Sequence, residues 1–110
     1  MLKKIGINPR EAILEIIGDD QEVIFYDGLD NAIIGTAERP NLGPVVAYDS
    51  EKCIEVLTNS MEVTEEDLEE GETIEGKKTE LAIEWFDYNV ISGYVGELTP
   101  IFITKINTND

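Results

Sequence analysis

The residues best suited to chemistry in this sequence are carboxylates that follow a short apolar run. Asp27-Gly28-Leu29-Asp30-Asn31 comes directly after Val23-Ile24-Phe25-Tyr26. Two acids at this spacing can hold Mg²⁺ together with substrate phosphates, because hard cations prefer oxygen ligands. The same residues also suit a turn, since Asp-Gly reverses the chain and Asx side chains hydrogen-bond to local backbone. A binding site and a turn are both open interpretations at this point.

The composition excludes several catalytic designs. The chain has no histidine, which removes Ser-His-Asp and Cys-His catalysis and the commonest zinc ligand. The loop around Asp27 lacks the alternating oxygens and closing glutamate of an EF-hand calcium loop. Gly93-x-x-Gly96 lacks the lysine of a phosphate loop. We therefore predict a protein without catalytic residues or a cofactor, with Mg²⁺ or Ca²⁺ bound by Asp27, Asp30 and Asp49 as the metal alternative.

Acidic residues dominate the charge. The formal net charge is −16, from 24 acidic and 8 basic residues. No basic stripe is present, so we predict no direct binding to nucleic acid. The simplest explanation is a solvated surface, and the alternatives are a cationic partner or imitation of nucleic acid. Part of the excess lies in one acidic segment, residues 65–78, which has the character of an insertion.

The sequence also predicts a compartment. The single cysteine, Cys53, lies on the apolar face of a predicted helix, which indicates a buried thiol in a reducing cytosol. Two N-terminal lysines are not followed by the apolar region of a signal peptide. The apolar stretches are far shorter than the roughly 20 residues of a membrane span. We expect a cytoplasmic protein without a membrane partner, and a homo-oligomer is left open.

The helices that position these residues are predicted from caps and apolar periodicity. They cover residues 9–17, about 50–60 and 80–91, with a short frayed segment from Thr64. Asn8 is the expected N-cap of the first helix and Gly18 its end. Asp49 or Ser50 caps the second helix and Thr79 the third. In the third helix we expect the aromatic side chains of residues 85, 86 and 88 in the core.

The strands are predicted from β-branched and aromatic runs. They cover residues 22–26, 32–37, 45–48 and 98–104, with a loop at 39–44 and a loose tail at 105–110. Runs of strands and runs of helices indicate the α+β class. We therefore expect one domain, residues 1–110, with a small, mostly antiparallel four-stranded sheet. An N-terminal helix and two to three further helices pack on it.

This topology would bring the polar landmarks together. In a meander of the first three strands, the 27–31 loop lies beside Tyr48 and Asp49. If the last helix returns to that edge, Asn89 and the 93–99 loop join them, as in a small-ligand pocket. The candidate ligand-binding residues are Asp27, Asp30, Asn31, Tyr48, Asp49, Asn89, Tyr94, Glu97 and Thr99.

Four sequence blocks suggest kinship. YDGLDNAIIG, VVAYDSEKCIEVL, ELAIEWFDYNV and GYVGELTPIFI cover most of residues 25–103. In these blocks and their order the chain resembles a family of small uncharacterised proteins of tailed bacteriophages. The resemblance implies a phage accessory protein in the cytoplasm of an infected host cell. It implies no reaction and no ligand.

The function expected from these features is binding, not catalysis. We predict a phage-encoded accessory protein that binds a host or phage protein through an acidic face, as a nucleic-acid mimic would. One alternative is a small-ligand or Mg²⁺-dependent protein or enzyme that uses the carboxylates at one end of the sheet. Another is a structural subunit of a phage complex.

Overall fold

The computed structural model describes residues 8–18 and 20–107, which form a small α+β domain. The helices are α1 Pro9–Ile17, α2 Ser50–Ser60 and α3 Ile74–Phe86, and the strands are β1 Ile33–Arg39, β2 Leu42–Asp49 and β3 Ile101–Ile103. Single 3₁₀ turns lie at Asp30–Ala32 and Glu65–Asp67, and a π-helical turn follows α3 at Asp87–Ile91. The predicted class and the single small domain are confirmed.

Among the described residues the sheet has three strands, in the order β1-β2-β3. β1 and β2 form an antiparallel hairpin, with Ile33 opposite Tyr48, whereas β3 runs parallel to β2, with Ala47 opposite Ile101. The predicted four-stranded, mostly antiparallel sheet is therefore wrong. A parallel pair needs a long crossover connection, and α2 and α3 supply it between β2 and β3.

The strand predicted at Glu22–Tyr26 is absent. Val23, Phe25 and Tyr26 are partly buried and pack against the core. The backbone N–H of Tyr26 donates to the hydroxyl of Tyr48 at 2.8 Å, where a strand would donate to a carbonyl. The apolar composition of this segment therefore indicated burial and not sheet pairing, and the predicted meander does not form.

The other strands differ from their predicted bounds. β1 begins at Ile33 because Ala32 belongs to a 3₁₀ turn, and the predicted loop at 39–44 shrinks to a turn at Pro40 and Asn41. Asn41 takes the left-handed φ of 62°, which asparagine tolerates better than most residues. The last strand is only Ile101–Ile103 and not 98–104. Of the predicted tail, residues 105–107 lie outside any strand, and 108–110 lie outside the described residues.

Helices α1 and α2 have the predicted bounds because their caps are encoded locally. The side chain of Asn8 accepts a hydrogen bond from the backbone N–H of Glu11 at 2.8 Å, and Gly18 ends α1 with a φ of 102°. Asp49 caps α2 by accepting from two backbone amides of its first turn. Both caps satisfy amide groups that have no partner within the helix.

Helix α3 begins at Ile74, not at residue 80. Its cap is Thr73, whose hydroxyl accepts from the backbone N–H of Gly76 at 3.0 Å, and not the predicted Thr79. The end of the acidic 65–78 segment is therefore helical. Glu75 in the first turn is favourable there, because the N-terminal end of a helix dipole is positive.

The core is organised around the aromatic rings of Tyr48 and Phe102. These two rings stack with centroids 5.2 Å apart. Tyr26 contacts both rings, at 6.0 and 5.6 Å between centroids, and Phe86 meets Phe102 edge-on at 5.4 Å. The cluster thereby joins β2, β3, α3 and the segment before the 27–31 loop.

Helix α3 buries a different face from the one predicted. Ala82, Phe86 and Val90 are buried, whereas Trp85 is 46 % exposed and Tyr88 is 84 % exposed. Placing Trp85 and Tyr88 in the core is therefore wrong, and only Phe86 lies where predicted. A helix packed on one side buries a single stripe, and the stripe with the small Ala82 faces inward where α3 packs against α2.

Replacing Tyr48 with phenylalanine tests the contact between the aromatic core and the Tyr26 segment. Tyr48→Phe keeps the ring but removes the acceptor of the Tyr26 N–H, so we expect a loss of about 1–2 kcal/mol in the free energy of unfolding. Urea denaturation measures this loss. Tyr94→Phe is the control, because Tyr94 is exposed. Equal stability of Tyr48→Phe and wild type would contradict the role of this hydrogen bond.

The buried thiol of Cys53 predicts a loss of stability at alkaline pH. Burial, followed by the charge of Asp49, raises the pKa of Cys53 from 9.0 to about 12. Stability is therefore full below the pKa of the unfolded thiol and falls as pH rises toward the folded pKa, because only the unfolded chain releases the proton. We expect a lower urea midpoint at roughly pH 10 than at roughly pH 8. Cys53→Ala should show a flatter decline, and an equally steep one would exclude the thiol.

Candidate functional site

Asp27 and Asp30 both pair with one arginine. Arg10 of α1 donates from Nε to Asp30 at 2.9 Å and from Nη2 to Asp27 at 3.0 Å. Its guanidinium lies 4.8 Å from the centroid of the Phe25 ring, a cation–π geometry. The hydrogen bonds of Asp30 and then Asp27 raise the pKa of Arg10. The two acids thus fasten the loop to the N-terminal helix.

The 27–31 loop also contains the turn that Asp27-Gly28 predicted. Gly28 has a φ of 87°, in the left-handed region, and the N–H of Leu29 donates to the carbonyl of Tyr26. Leu29 is 2 % exposed, so the turn inserts it into the core. Asn31 is exposed. The loop therefore has a structural role that accounts for its glycine and both acids.

Tyr48 is fully buried and offers no surface to a ligand. Burial raises the pKa of its phenol, the hydrogen bond from the Tyr26 amide lowers it, and the charge of Asp30 raises it, with a net rise. Tyr26, which directly precedes the 27–31 loop, donates its N–H to the Tyr48 hydroxyl, so the start of this loop lies near the end of β2. The phenol oxygen of Tyr48 is occupied by this backbone hydrogen bond, so the contact between loop and strand has a structural role.

Asp49 uses both carboxylate oxygens within the fold. Oδ1 accepts from two backbone amides of α2, and Oδ2 lies 3.2 Å from the ammonium nitrogen of Lys105. Burial raises the pKa of Asp49, but the ion pair with Lys105 and the backbone amides outweigh it, so the pKa is lowered. Asp49 is thus the cap of α2 and an anchor for the chain after β3.

The remaining candidates make local contacts. The hydroxyl of Thr99 donates to the carbonyl of Gly96 at 2.6 Å and accepts from the Val95 N–H at 2.8 Å. The side-chain amide of Asn89 donates to the carbonyl of Trp85 within the same helical segment.

The predicted cluster is only partly assembled. Tyr94 and Glu97 are exposed. In the described part of the chain, no hydrogen bond or ion pair joins Asp27 or Asp30 to the predicted site residues beyond position 88. Within residues 8–18 and 20–107, no group of three carboxylate or thiol side chains is placed to hold a metal ion. Binding of Mg²⁺ or Ca²⁺ there stays a prediction.

A groove of about 730 Å³ lies along α3 and the π-helical turn. Its walls include Met61, Leu81, Glu84, Trp85, Asp87 and Tyr88. Met61 directly follows α2, and the others lie on or just after α3. Of the residues predicted to bind a ligand, Asn89 is on this groove. Its size falls within the usual range of small-ligand and peptide pockets.

The π-helical turn shapes the end of the groove. The N–H and the hydroxyl of Ser92 both donate to the carbonyl of Asp87, at 3.2 and 2.8 Å. Val90 in this turn is buried, whereas Tyr88 projects from the surface. Single π-helical turns are rare and occur frequently at functional sites.

The groove is both aromatic and negatively charged. Across residues 8–18 and 20–107, no lysine or arginine forms an ion pair with Glu84 or Asp87. Glu84 lies in the last turn of α3, and Asp87 begins the π-helical turn that continues the helix to Ile91. Both acids thus lie in the C-terminal part of one helical segment, where negative charge is not favoured. The last turn of α3 contains no basic residue.

The sequence contained signals for the exposed aromatic residues of α3 and for Arg10, but apolar periodicity alone did not identify their positions. α3 has two apolar stripes, one with Phe86 and one with Trp85 and Tyr88, and a helix packed on one side can bury only one of them. Arg10 was missed as well. A cation in the first turn of a helix is disfavoured by the dipole, which indicates a nearby acidic partner.

Comparison with protein-family models, with curated proteins and with solved structures finds no match in any of the three. The resemblance to a phage family therefore stays a hypothesis. Among the described residues, no helix has both the length and the apolar character to cross a membrane.

A double-mutant cycle tests whether Asp30 serves the fold. Arg10→Met and Asp30→Asn should each lower the free energy of unfolding, and together by less than the sum, with a coupling of about 0.5–1 kcal/mol. Asp27 is fully exposed, so the matched cycle of Arg10→Met with Asp27→Asn should give weaker coupling. Urea denaturation at low and high salt measures both cycles. Zero coupling between Arg10 and Asp30 would contradict a stabilising role for this ion pair.

Proposed function

We propose that the protein is a non-enzymatic binding domain whose groove on α3 accepts a cationic, partly apolar segment of another protein. The observation that supports this most directly is the exposure of Trp85 and Tyr88 beside two acids without ion-pair partners in the described chain, Glu84 and Asp87. The aromatic walls and the negative charge together specify the chemistry of the occupant.

The aromatic side chains supply the affinity. Trp85 and Tyr88 remain in water in the free protein, and a partner that covers them gains the free energy of burying large apolar surfaces. Trp and Tyr are also the residues that most often dominate binding energy at protein interfaces. Leu81 and Met61 extend the apolar surface of the groove.

The charges select the sign of the partner. Glu84 and Asp87 lie three residues apart in the C-terminal part of one helical segment, where their negative charges repel one another. A cationic side chain in the groove relieves this repulsion. The formal charge of −16 acts at longer range, because it raises the rate at which a basic partner approaches.

The biological setting belongs to the same proposal. The four blocks that resemble tailed-phage proteins support a phage accessory protein that acts in the cytoplasm of an infected host cell. The partner is then a host or phage protein with a basic surface. A protein that binds nucleic acid has such a surface, and an acidic domain would occupy it in place of a phosphate backbone.

The single tryptophan of the chain makes this proposal measurable, because Trp85 lies in the groove. We expect a synthetic amphipathic peptide of leucine and arginine to change the fluorescence of Trp85, with weaker binding as salt is raised. A leucine–glutamate peptide of the same length should not bind.

Substitutions separate groove binding from general charge attraction. Tyr88→Ala should weaken binding of the leucine–arginine peptide about tenfold, which is about 1.4 kcal/mol, while Trp85 still reports. Tyr94→Ala is the matched control, since Tyr94 is a similarly exposed tyrosine outside the groove. If both variants bind like the wild type, the groove is not the binding surface.

A further inference from the structure

We infer that the groove on α3 selects arginine over lysine, with a guanidinium lying against the rings of Trp85 and Tyr88 and donating to Glu84 and Asp87. This inference rests on the proposed function, because it assumes that the groove accepts a cationic segment. It adds the identity of the side chain that is recognised.

The rings and the acids lie on neighbouring positions of one helical segment. Trp85 and Tyr88 are three residues apart and Glu84 and Tyr88 four apart, which are the spacings at which helical side chains are neighbours. All of them line the same groove with Asp87. A planar cation in the groove can therefore meet an aromatic face and a carboxylate at the same time.

The chain already contains this combination of groups with its arginine in place. The guanidinium of Arg10 donates to Asp30 at 2.9 Å and to Asp27 at 3.0 Å while it lies 4.8 Å from the centre of the Phe25 ring. Two carboxylates and an aromatic ring thus surround the guanidinium of an arginine within this protein. The groove presents two carboxylates and two aromatic rings.

Neither arginine of the chain fills the groove. The chain has two arginines, of which Arg10 binds the 27–31 loop and Arg39 donates to the carbonyl of Gly43 at 2.7 Å. The guanidinium would therefore have to come from a partner.

The difference between the two cations is geometric. A guanidinium is planar, stacks on aromatic rings and presents several donors in a fixed fork, so it can bridge two carboxylates. An ammonium is a compact, strongly hydrated charge that bonds without a preferred plane. General attraction to an acidic surface would not distinguish arginine from lysine. Stacking against the rings of Trp85 and Tyr88 would favour arginine.

Matched peptides test the inference. Leucine–arginine and leucine–lysine peptides of identical pattern are titrated against the full-length protein by Trp85 fluorescence and by calorimetry. We expect the arginine peptide to bind about tenfold more tightly. The double variant Glu84→Gln with Asp87→Asn should lose most of this preference. The double variant Glu66→Gln with Glu70→Gln removes two exposed acids outside the groove and should keep it.

The possible outcomes distinguish the preference for arginine from the proposed binding at the groove. Equal affinity for both peptides, still reduced by Tyr88→Ala, would overturn the arginine preference and leave the binding groove standing. Absence of binding by either peptide would overturn both. A preference that survives in the Glu84 and Asp87 variant but is lost in Trp85→Leu, measured by calorimetry, would overturn the role of the carboxylates and assign the selection to stacking alone.

Discussion

The buried ring of Tyr48 is the contact on which the rest of the structure depends. It stacks on Phe102, which ties the short parallel strand β3 to β2, and its hydroxyl accepts the Tyr26 N–H. That hydrogen bond gives the Tyr26 amide a partner outside the sheet, which it needs where water is largely excluded. The segment can therefore leave the sheet and enter the turn that brings Asp27 and Asp30 to Arg10.

Local signals in the sequence predicted the bounds of α1 and α2 but not the start of α3. Asn8, Gly18 and Asp49 determine where α1 and α2 begin or end, since capping bonds involve residues two to four positions apart. The absence of a strand at Glu22–Tyr26 and the parallel direction of β3 depend on contacts with Tyr48 and Phe102. Such contacts are distant in the sequence, so neither propensity nor periodicity contains them.

The candidate site differs from the prediction for a related reason. The sequence indicated which residues were carboxylates, but not that the arginine of α1 and Lys105 would pair with them. It also indicated two apolar stripes on α3 without the rotation of the helix. Because Ala82 and Phe86 face inward, Trp85 and Tyr88 face water, and residues expected to stabilise the core became a surface.

Carboxylates beside aromatic rings have different roles at the 27–31 loop and on α3. At the 27–31 loop, acids and an aromatic ring meet Arg10, and the contact closes the fold. On α3 and the π-helical turn that continues it, acids and aromatic rings face outward in the C-terminal part of a helical segment, where a sequence selected for stability alone would favour cations. Local departures of this kind from stabilising patterns are concentrated at functional surfaces. An acidic chain that pairs Asp27 and Asp30 with Arg10 leaves Glu84 and Asp87, beside two exposed aromatic rings, without an ion pair in its described part.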